Sequence, residues 1–311
     1  MTARPDTEPA IDDQDTVSAV VVGVDGSPGA LVAAQWAAVE AGRRNLPLRL
    51  VFAVDPAGDA GGQDREASTK CRVDFAEDAL AEAERRARRV VDSVEVTAEV
   101  VHQSPAEAIV HAVSRAAMIC LGSNGAHHAH PGHRAGTATE VLLTADCPVA
   151  VVRGPAPDHG WVVVRSDPEP TLFDTLSLAV NEAVLRGLSL RVLTPWALRD
   201  ATPHDEVAEL DRRLRQNLDS WRRKHPHLDA AVTAAPDLGE FLIRNSRRIS
   251  MFVAPARRVH DVGTVIHPTA EAAVKLLECP VLICGREPRP TGGRGAHRAL
   301  AGERVQGPGD R

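Results

Sequence analysis

The sequence predicts an α/β protein built from two copies of one parallel-sheet domain, and three observations carry that reading. Short β-branched runs alternate with helical patterns in the order β-α-β-α-β-α-β-α-β, as expected for parallel strands joined by crossover helices. The second half of the chain repeats that order. The letters repeat as well: AAVEAGRRNLPLR (37–49) lies over AVNEAVLRGLSLR (179–191) at a constant shift of 142, the same shift takes Asp25 to Asp167, and CPVA at 147 returns as CPVL at 279. Self-similarity of this kind is the mark of a tandem duplication, and 311 residues suit about two domains.

The elements follow in order. SAVVVGV (18–24) reads as a strand buried on both faces. Pro28 to Arg44 is Ala-rich with a helical period, and proline suits a first turn. LRLVFAV (48–54) is the second strand, residues 66–91 a long polar helix, and VEVTAEVV (94–101) the third strand. Pro105 opens a helix to Arg115, MICL (118–121) is the fourth strand, Thr137–Thr144 a helix and PVAVVR (148–153) the fifth strand. In the second half the strands are Trp161–Arg165, 188–196, 230–235, 251–254 and 279–285, and the helices Thr171–Gly187, His204–Arg223 and Leu238–Arg248. GPAPDHG (154–160) reads as the linker. The domains expected are therefore 17–154 and 161–285, joined by 155–160, with polar tails at 1–16 and 286–311 that lack apolar periodicity and read as disordered.

Composition excludes several functions. Apolar residues make up 43% and charged residues 25%, ordinary for a globular chain, and the net charge of −6 argues against a general nucleic-acid binder. Of 36 basic residues only Lys70, Lys224 and Lys275 are lysines, and none follows a glycine, so no Walker A loop is present. With no tyrosine, Tyr-based catalysis is out. The N-terminal stretch lacks the basic and apolar regions of a secretory signal, and no apolar run approaches the roughly 20 residues of a membrane span. Five cysteines (Cys71, Cys120, Cys147, Cys279 and Cys284) without C-x-x-C spacing suggest free thiols in a reducing compartment, and the expected location is the cytoplasm.

Ligands of parallel α/β sheets bind outside the carboxyl ends of the strands, where the strand order reverses. Two loops matter for that reason. GVDGSPG after the first strand puts Asp25 at a strand tip, where a carboxylate can accept a ribose hydroxyl or hold a metal-bound water; the alternative is an Asp/Gly/Ser turn with Ser27 capping the helix. GSNGAHHAHPGHRAGT (122–137) follows the fourth strand, and its glycines allow close approach of an anion. Gly136-Thr137 then opens a helix whose free N–H groups favour phosphate. The histidines at 127, 128, 130 and 133 lack Cys and acidic partners, so a solvated loop is favoured over a metal site, and no metal ligands are assigned. Cys120, Cys147 and Cys279 read as small core residues.

VVVGVDGS, L-x-V-x-x-V-D, the G-x-x-G…G-T segment and CPVAVV together resemble the universal stress protein family, and two such units resemble its tandem actinobacterial members. The resemblance implies two tandem Rossmann-like (adenine nucleotide alpha hydrolase-like) domains, each a five-stranded parallel sheet with helices on both faces. ATP-binding members carry G-2x-G-9x-G-[ST]; Gly122, Ser123 and Gly125 match its start and Gly136-Thr137 its end, across a spacer of ten residues instead of nine. By the same resemblance Gly23 and Asp25 face ribose and phosphates, the backbone near Ala53 meets the adenine edge, Mg2+ accompanies ATP, and the protein forms a homodimer, for which edge pairing of the fifth strands supplies a physical reason.

The second half departs from the pattern. Its first turn is RSDPEP, APAR (254–257) lies over GSNG, and Pro268-Thr269 stands for Gly136-Thr137. The expected function is accordingly a stress-response regulator that binds ATP in its first domain only, with no membrane or nucleic-acid partner. The alternatives are a structural or interaction protein of the same fold that binds no nucleotide, and a weak ATPase. No G-x-S-x-G or H-E-x-x-H motif is present, so a dedicated enzyme is not expected.

Overall fold

The computed structural model describes residues 18–55, 65–112, 116–123, 137–154, 157–166, 171–194, 204–235, 237–256, 273 and 275–284. The two tails assigned from sequence, the histidine cluster, Gly125, Gly136 and Asp167 lie outside these residues.

The first half runs β1 (Ala19–Val24), α1 (Pro28–Arg44), β2 (Leu48–Ala53), α2 (Arg65–Val90), β3 (Val96–Val101), α3 (Pro105–Ala112), β4 (Ala116–Gly122), α4 (Thr137–Thr144) and β5 (Val149–Val152). The second runs β6 (Trp161–Arg165), α5 (Leu172–Arg186), β7 (Ser189–Thr194), α6 (His204–Lys224), β8 (Ala230–Ala234), α7 (Leu238–Asn245), β9 (Ile249–Pro255) and β10 (Val281–Cys284). Helix α7 stops three residues short of the expected Arg248, because Ser246–Arg248 tighten into a 3-10 turn. The fourth strands are longer than their apolar cores MICL and MFVA suggest, since each starts with a β-bulge.

Local chemistry explains the helix ends. The Ser27 hydroxyl accepts from the Ala30 N–H at 3.2 Å, with Pro28 in the first turn. Helix α1 ends on Asn45 at φ 54° and α5 on Gly187 at φ 64°, positions that differ by the repeat shift of 142. Both take the left-handed conformation that closes a helix, which only Gly and Asn adopt readily.

Each half is a parallel sheet, and the two join into one sheet of ten strands in the order β3-β2-β1-β4-β5-β10-β9-β6-β7-β8. The joint is the antiparallel pair β5–β10, with Val151 opposite Val281 and Val149 opposite Ile283. This corrects one expectation. The fifth strands are interior, so the edge pairing offered as the reason for a homodimer is already used within the chain; the edges of the sheet are β3 and β8. Alternating strand residues feed two main apolar clusters, one on each face, and each runs across the joint: Val22, Ala150 and Leu282 share one, Ile119, Val149 and Phe252 the other.

Above the joint, helices α1 and α5 meet through charges. Glu40 on α1 and Glu182 on α5 are almost fully buried. Arg44 bonds Glu182 at 2.6 Å and Glu40 at 3.2 Å. Arg186 bonds Glu182 and lies 2.6 Å from Glu40, a close ion contact off the axis of a hydrogen bond. Arg43 adds a third cation at 3.1 Å from Glu40. Glu182 and Arg186 are Glu40 and Arg44 moved by 142 positions, so the cluster is one i,i+4 pair exchanged across a pseudo-twofold axis. Burial pulls the Arg44 guanidinium toward release of its proton, but Glu182 and Glu40 more than offset this and raise its pKa. The Arg186 guanidinium also stands over the Trp36 ring at 5.9 Å.

Removing one member of a buried ion cluster strands the others, which typically costs about 3–5 kcal/mol, whereas replacing the whole set by apolar groups is often neutral. Urea denaturation is expected to show Glu182→Ala destabilised by about that amount, and a variant carrying Glu40→Leu, Arg44→Met, Glu182→Leu and Arg186→Met destabilised less than the single variant. A loss below about 1 kcal/mol for Glu182→Ala, the range of a surface ion pair, would show that the cluster does not tie the halves together.

Candidate functional site

The strand order 3-2-1-4-5 of the first half reverses direction between β1 and β4, and ligand crevices of such sheets open there. The ladder registers show the opening. β1 and β4 pair only as far as Val22 and Cys120, although both strands continue for two residues. β1 and β2 pair as far as Val24 and Phe52, so Asp25 and Ala53 stand next to each other just beyond the end of that ladder. On its far side Ala53 is held by β3, opposite Val101.

The turn that presents Asp25 is built from its own neighbours. The Ser27 N–H donates to Asp25 Oδ1 at 3.0 Å, and Ser27 in turn caps α1. The two sequence readings of this turn are compatible, since Ser27 is the cap and Asp25 still stands at the strand tip. Gly26 has φ +79°, and a Cβ there would lie 2.7 Å from the tip of the Phe75 ring on α2. Gly23 is constrained as well, because a Cβ would come within 2.9 Å of Leu121 and 3.0 Å of Ile109.

Gly122 has a role that sequence reasoning missed. A Cβ on Gly122 would lie 2.6 Å from the Gly29 carbonyl carbon and 2.7 Å from the Ala30 nitrogen. The missing side chain is what lets the first turn of α1 sit against the end of β4, a demand of packing that holds with or without an anion. Ser123 follows, its N–H donating to the Val152 carbonyl at 2.9 Å. Thr137 is the exposed first residue of α4. Thus Gly23, Asp25, Ala53, Gly122 and Ser123 gather at the carboxyl edge of β1, β2 and β4, while Gly125 and Gly136 lie outside the described residues.

The second half makes the comparison sharper and corrects the residue equivalence. Val22 pairs with Cys120, and its repeat counterpart Val164 pairs with Val253. The fourth strands are therefore related by a shift of 133, and the residue at the Gly122 position is Pro255, not Ala254. The sequence overlay went wrong by one because it was anchored on the fifth strands, which keep a shift of 132. Where Gly122 admits α1, a proline ring now stands. Helix α5 accordingly starts at Leu172, two residues later than the counterpart of Pro28, and its Thr171 makes no side-chain cap bond.

Other chemistry in the fold is committed elsewhere. A cavity of about 440 Å³ lies between α6 and strands β7 and β8, but its arginines already pair, Arg215 with Asp211 and Arg222 with Asp219. Among the described residues no group of three or more His, Cys, Asp or Glu is placed to hold a metal ion. Cys120, Cys147 and Cys279 are buried, which pushes all three thiols up: Cys147 and Cys279 to about 12, Cys120 with the Glu40 carboxylate adding to the effect. They are core residues, as their sequence context suggested, and no thiolate nucleophile is available from them at neutral pH.

A thiol whose pKa is raised on folding contributes stability that is complete below its unfolded value and is lost as pH rises through the folded one. Folding stability should therefore fall between about pH 9 and pH 12, in a chain with no tyrosine and three lysines to confuse the titration. Urea midpoints across that range should be flatter for the variant carrying Cys147→Ala and Cys279→Ala; parallel curves would mean that these thiols do not titrate on unfolding.

Comparison with known proteins agrees with this architecture. Residues 17–153 match the model of the universal stress protein family. Universal stress protein Rv2028c of Mycobacterium tuberculosis is 31% identical over 276 residues, covering 86% of this chain and 96% of its own. Rv3134c of the same organism is 33% identical over 264 residues, covering 80% and 92%. Among solved structures, a universal stress protein from Archaeoglobus fulgidus matches with a TM-score of 0.65 at 15% identity, over 86% of this chain and 98% of that one. None of the helices among the described residues is long and apolar enough to cross a membrane. With a carboxylate and a capped helix at the crevice of one half, a blunted copy in the other, and relatives matched along nearly their whole length, the chain belongs to the universal stress protein family.

Proposed function

We propose that this protein is a stress-response regulator that binds one ATP per chain, at the carboxyl edge of β1, β2 and β4. The observation that carries the reading is the asymmetry between the halves: Gly122 admits the first turn of α1 in one, and Pro255 stands in its place beside a shortened α5 in the other. A helix start brought close to a strand crevice turns its positive dipole end toward an anion.

In this reading Asp25 accepts from the ribose hydroxyls, and the Ala53 backbone, beyond the end of the β1–β2 ladder, meets the adenine edge. Ser123 and Thr137 face the phosphates, together with Gly125 and Gly136. Mg2+ accompanies the phosphates, and Asp25 is a carboxylate at this edge that would hold a metal-bound water. Occupancy orders the loops at this edge, and the change in order is the signal. No side chain described at the edge combines a nucleophile with a base, so binding rather than turnover is the proposed activity.

Isothermal titration of the full chain with ATP and Mg2+ should give at most one site. Asp25→Asn keeps an oxygen to accept from Ser27 but removes the charge. It should weaken ATP about ten-fold, the low end for a hydrogen bond to a charged group, with little change in thermal stability. Two equivalent sites per chain would contradict the asymmetry. An unchanged affinity in Asp25→Asn would reduce Asp25 to a turn residue.

A further inference from the structure

Phe75 is 55% exposed in the middle of α2, between the exposed carboxylates Asp74 and Glu77. A single exposed phenyl ring is ordinary on a protein surface, and what singles this one out is what it touches. Its surroundings are specific. The ring tip rests against Gly26, the residue after Asp25, where a Cβ would be only 2.7 Å away. Its edge meets Phe52 at 6.0 Å between centroids and 80° between planes, and Phe52 immediately precedes Ala53. Phe75 thus spans the two points proposed to hold the ribose and the adenine edge.

The other half lacks every part of this arrangement. The shift of 142 puts Pro168 at Gly26 and Thr194 at Phe52. The β2–β3 and β7–β8 registers fix a shift of 134 for the third strands. That shift carried back along the preceding helices puts exposed Glu209 at Phe75. The aromatic pair and the glycine beneath it occur together only in the half whose crevice keeps its helix start. Were Phe75 a general packing residue of this fold, the blunted half would need one too.

We infer that Phe75 is a positioning residue for the nucleoside, an apolar wall against which the base and ribose of the first-half ligand pack. The inference rests on the proposed nucleotide site. Stacking on an aromatic face is tolerant of base identity and is lost on truncation to alanine. Asp74, Glu77 and Asp78 flank the ring and are exposed. They repel phosphates from this side, so the nucleoside lies toward α2 and the phosphates toward β4 and α4.

The test is calorimetry on the full chain, with ATP and, separately, with inorganic triphosphate, which has no nucleoside. Phe75→Ala should weaken ATP roughly ten-fold and leave triphosphate unchanged. Phe75→Trp should retain ATP, with emission from the new indole quenched on binding. A parent protein that binds no ATP would overturn the nucleotide site itself. A parent that binds ATP with the same affinity as Phe75→Ala would leave the site standing and overturn the role of Phe75. If Phe75→Ala instead abolishes a concentration-dependent dimer and leaves ATP affinity intact, the ring belongs to an interface with a second copy, and the inference fails.

Discussion

The structure depends on how two copies of one unit close on each other. Each copy ends in a strand with one unpaired edge, and an unpaired edge in the middle of an apolar sheet is not stable in water. The chain resolves this by pairing β5 with β10 antiparallel, which carries the apolar cluster on each face across the joint. Backbone pairing alone does not fix which residues face each other. The buried cluster of Glu40, Arg44, Glu182 and Arg186 does, because Arg44 of one helix lies 2.6 Å from Glu182 of the other and Arg186 lies 2.6 Å from Glu40, so the charges match across the joint at one alignment of the two helices. Polar groups at such positions contribute register more than stability.

The joint also decides where sites can lie. Because β5 and β10 run in opposite directions, the carboxyl edges of the two halves sit at opposite edges of the ten-stranded sheet. A ligand at Asp25 therefore cannot share contacts with the counterpart edge of the second half. The second half contributes in another way. Its β10 covers β5, and its α5 supplies two of the four buried charges. In that half Pro255 stands at the Gly122 position, and α5 starts at Leu172 with no side-chain cap bond from Thr171. The asymmetry follows from the duplication: one copy retains a crevice while the other serves as its fixed partner.

Much of this was legible in the sequence, for physical reasons. Helix α1 starts and stops where Pro28, Ser27 and Asn45 require, and α4 spans the residues expected of it. The repeat at a shift of 142 was plain in letters, and it contained Glu40, Arg44, Glu182 and Arg186. Their burial was not legible, because a Glu–Arg pair at i,i+4 is usually a solvated helix face. The available signal was that both charges recur at the repeat shift beside apolar residues one turn away, Trp36 and Ala37 on one helix and Leu178 and Ala179 on the other. Pattern also cannot tell a parallel joint from an antiparallel one, as both look like short apolar strands. Of the proposed site, Asp25 was singled out from its strand tip and Gly23 from the family resemblance. Gly122 was found for its closeness to a phosphate, whereas the structure shows the backbone of α1 against it. Phe75 was invisible, since its meaning comes from a contact with Gly26 that is 49 positions away.

Hydrogen–deuterium exchange read by NMR tests the central claim most directly, because it distinguishes an interior strand from an edge. If β5 and β10 pair as described, the amides of Val149, Val151, Val281 and Ile283 exchange as slowly as those of β1 in the middle of the first half, and far more slowly than the outward amides of the edge strand β3. Rapid exchange at Val149, Val151, Val281 and Ile283, at the rate of the outward amides of β3, would contradict the account, because it would mean that the two halves present free edges and are held together by something other than this joint.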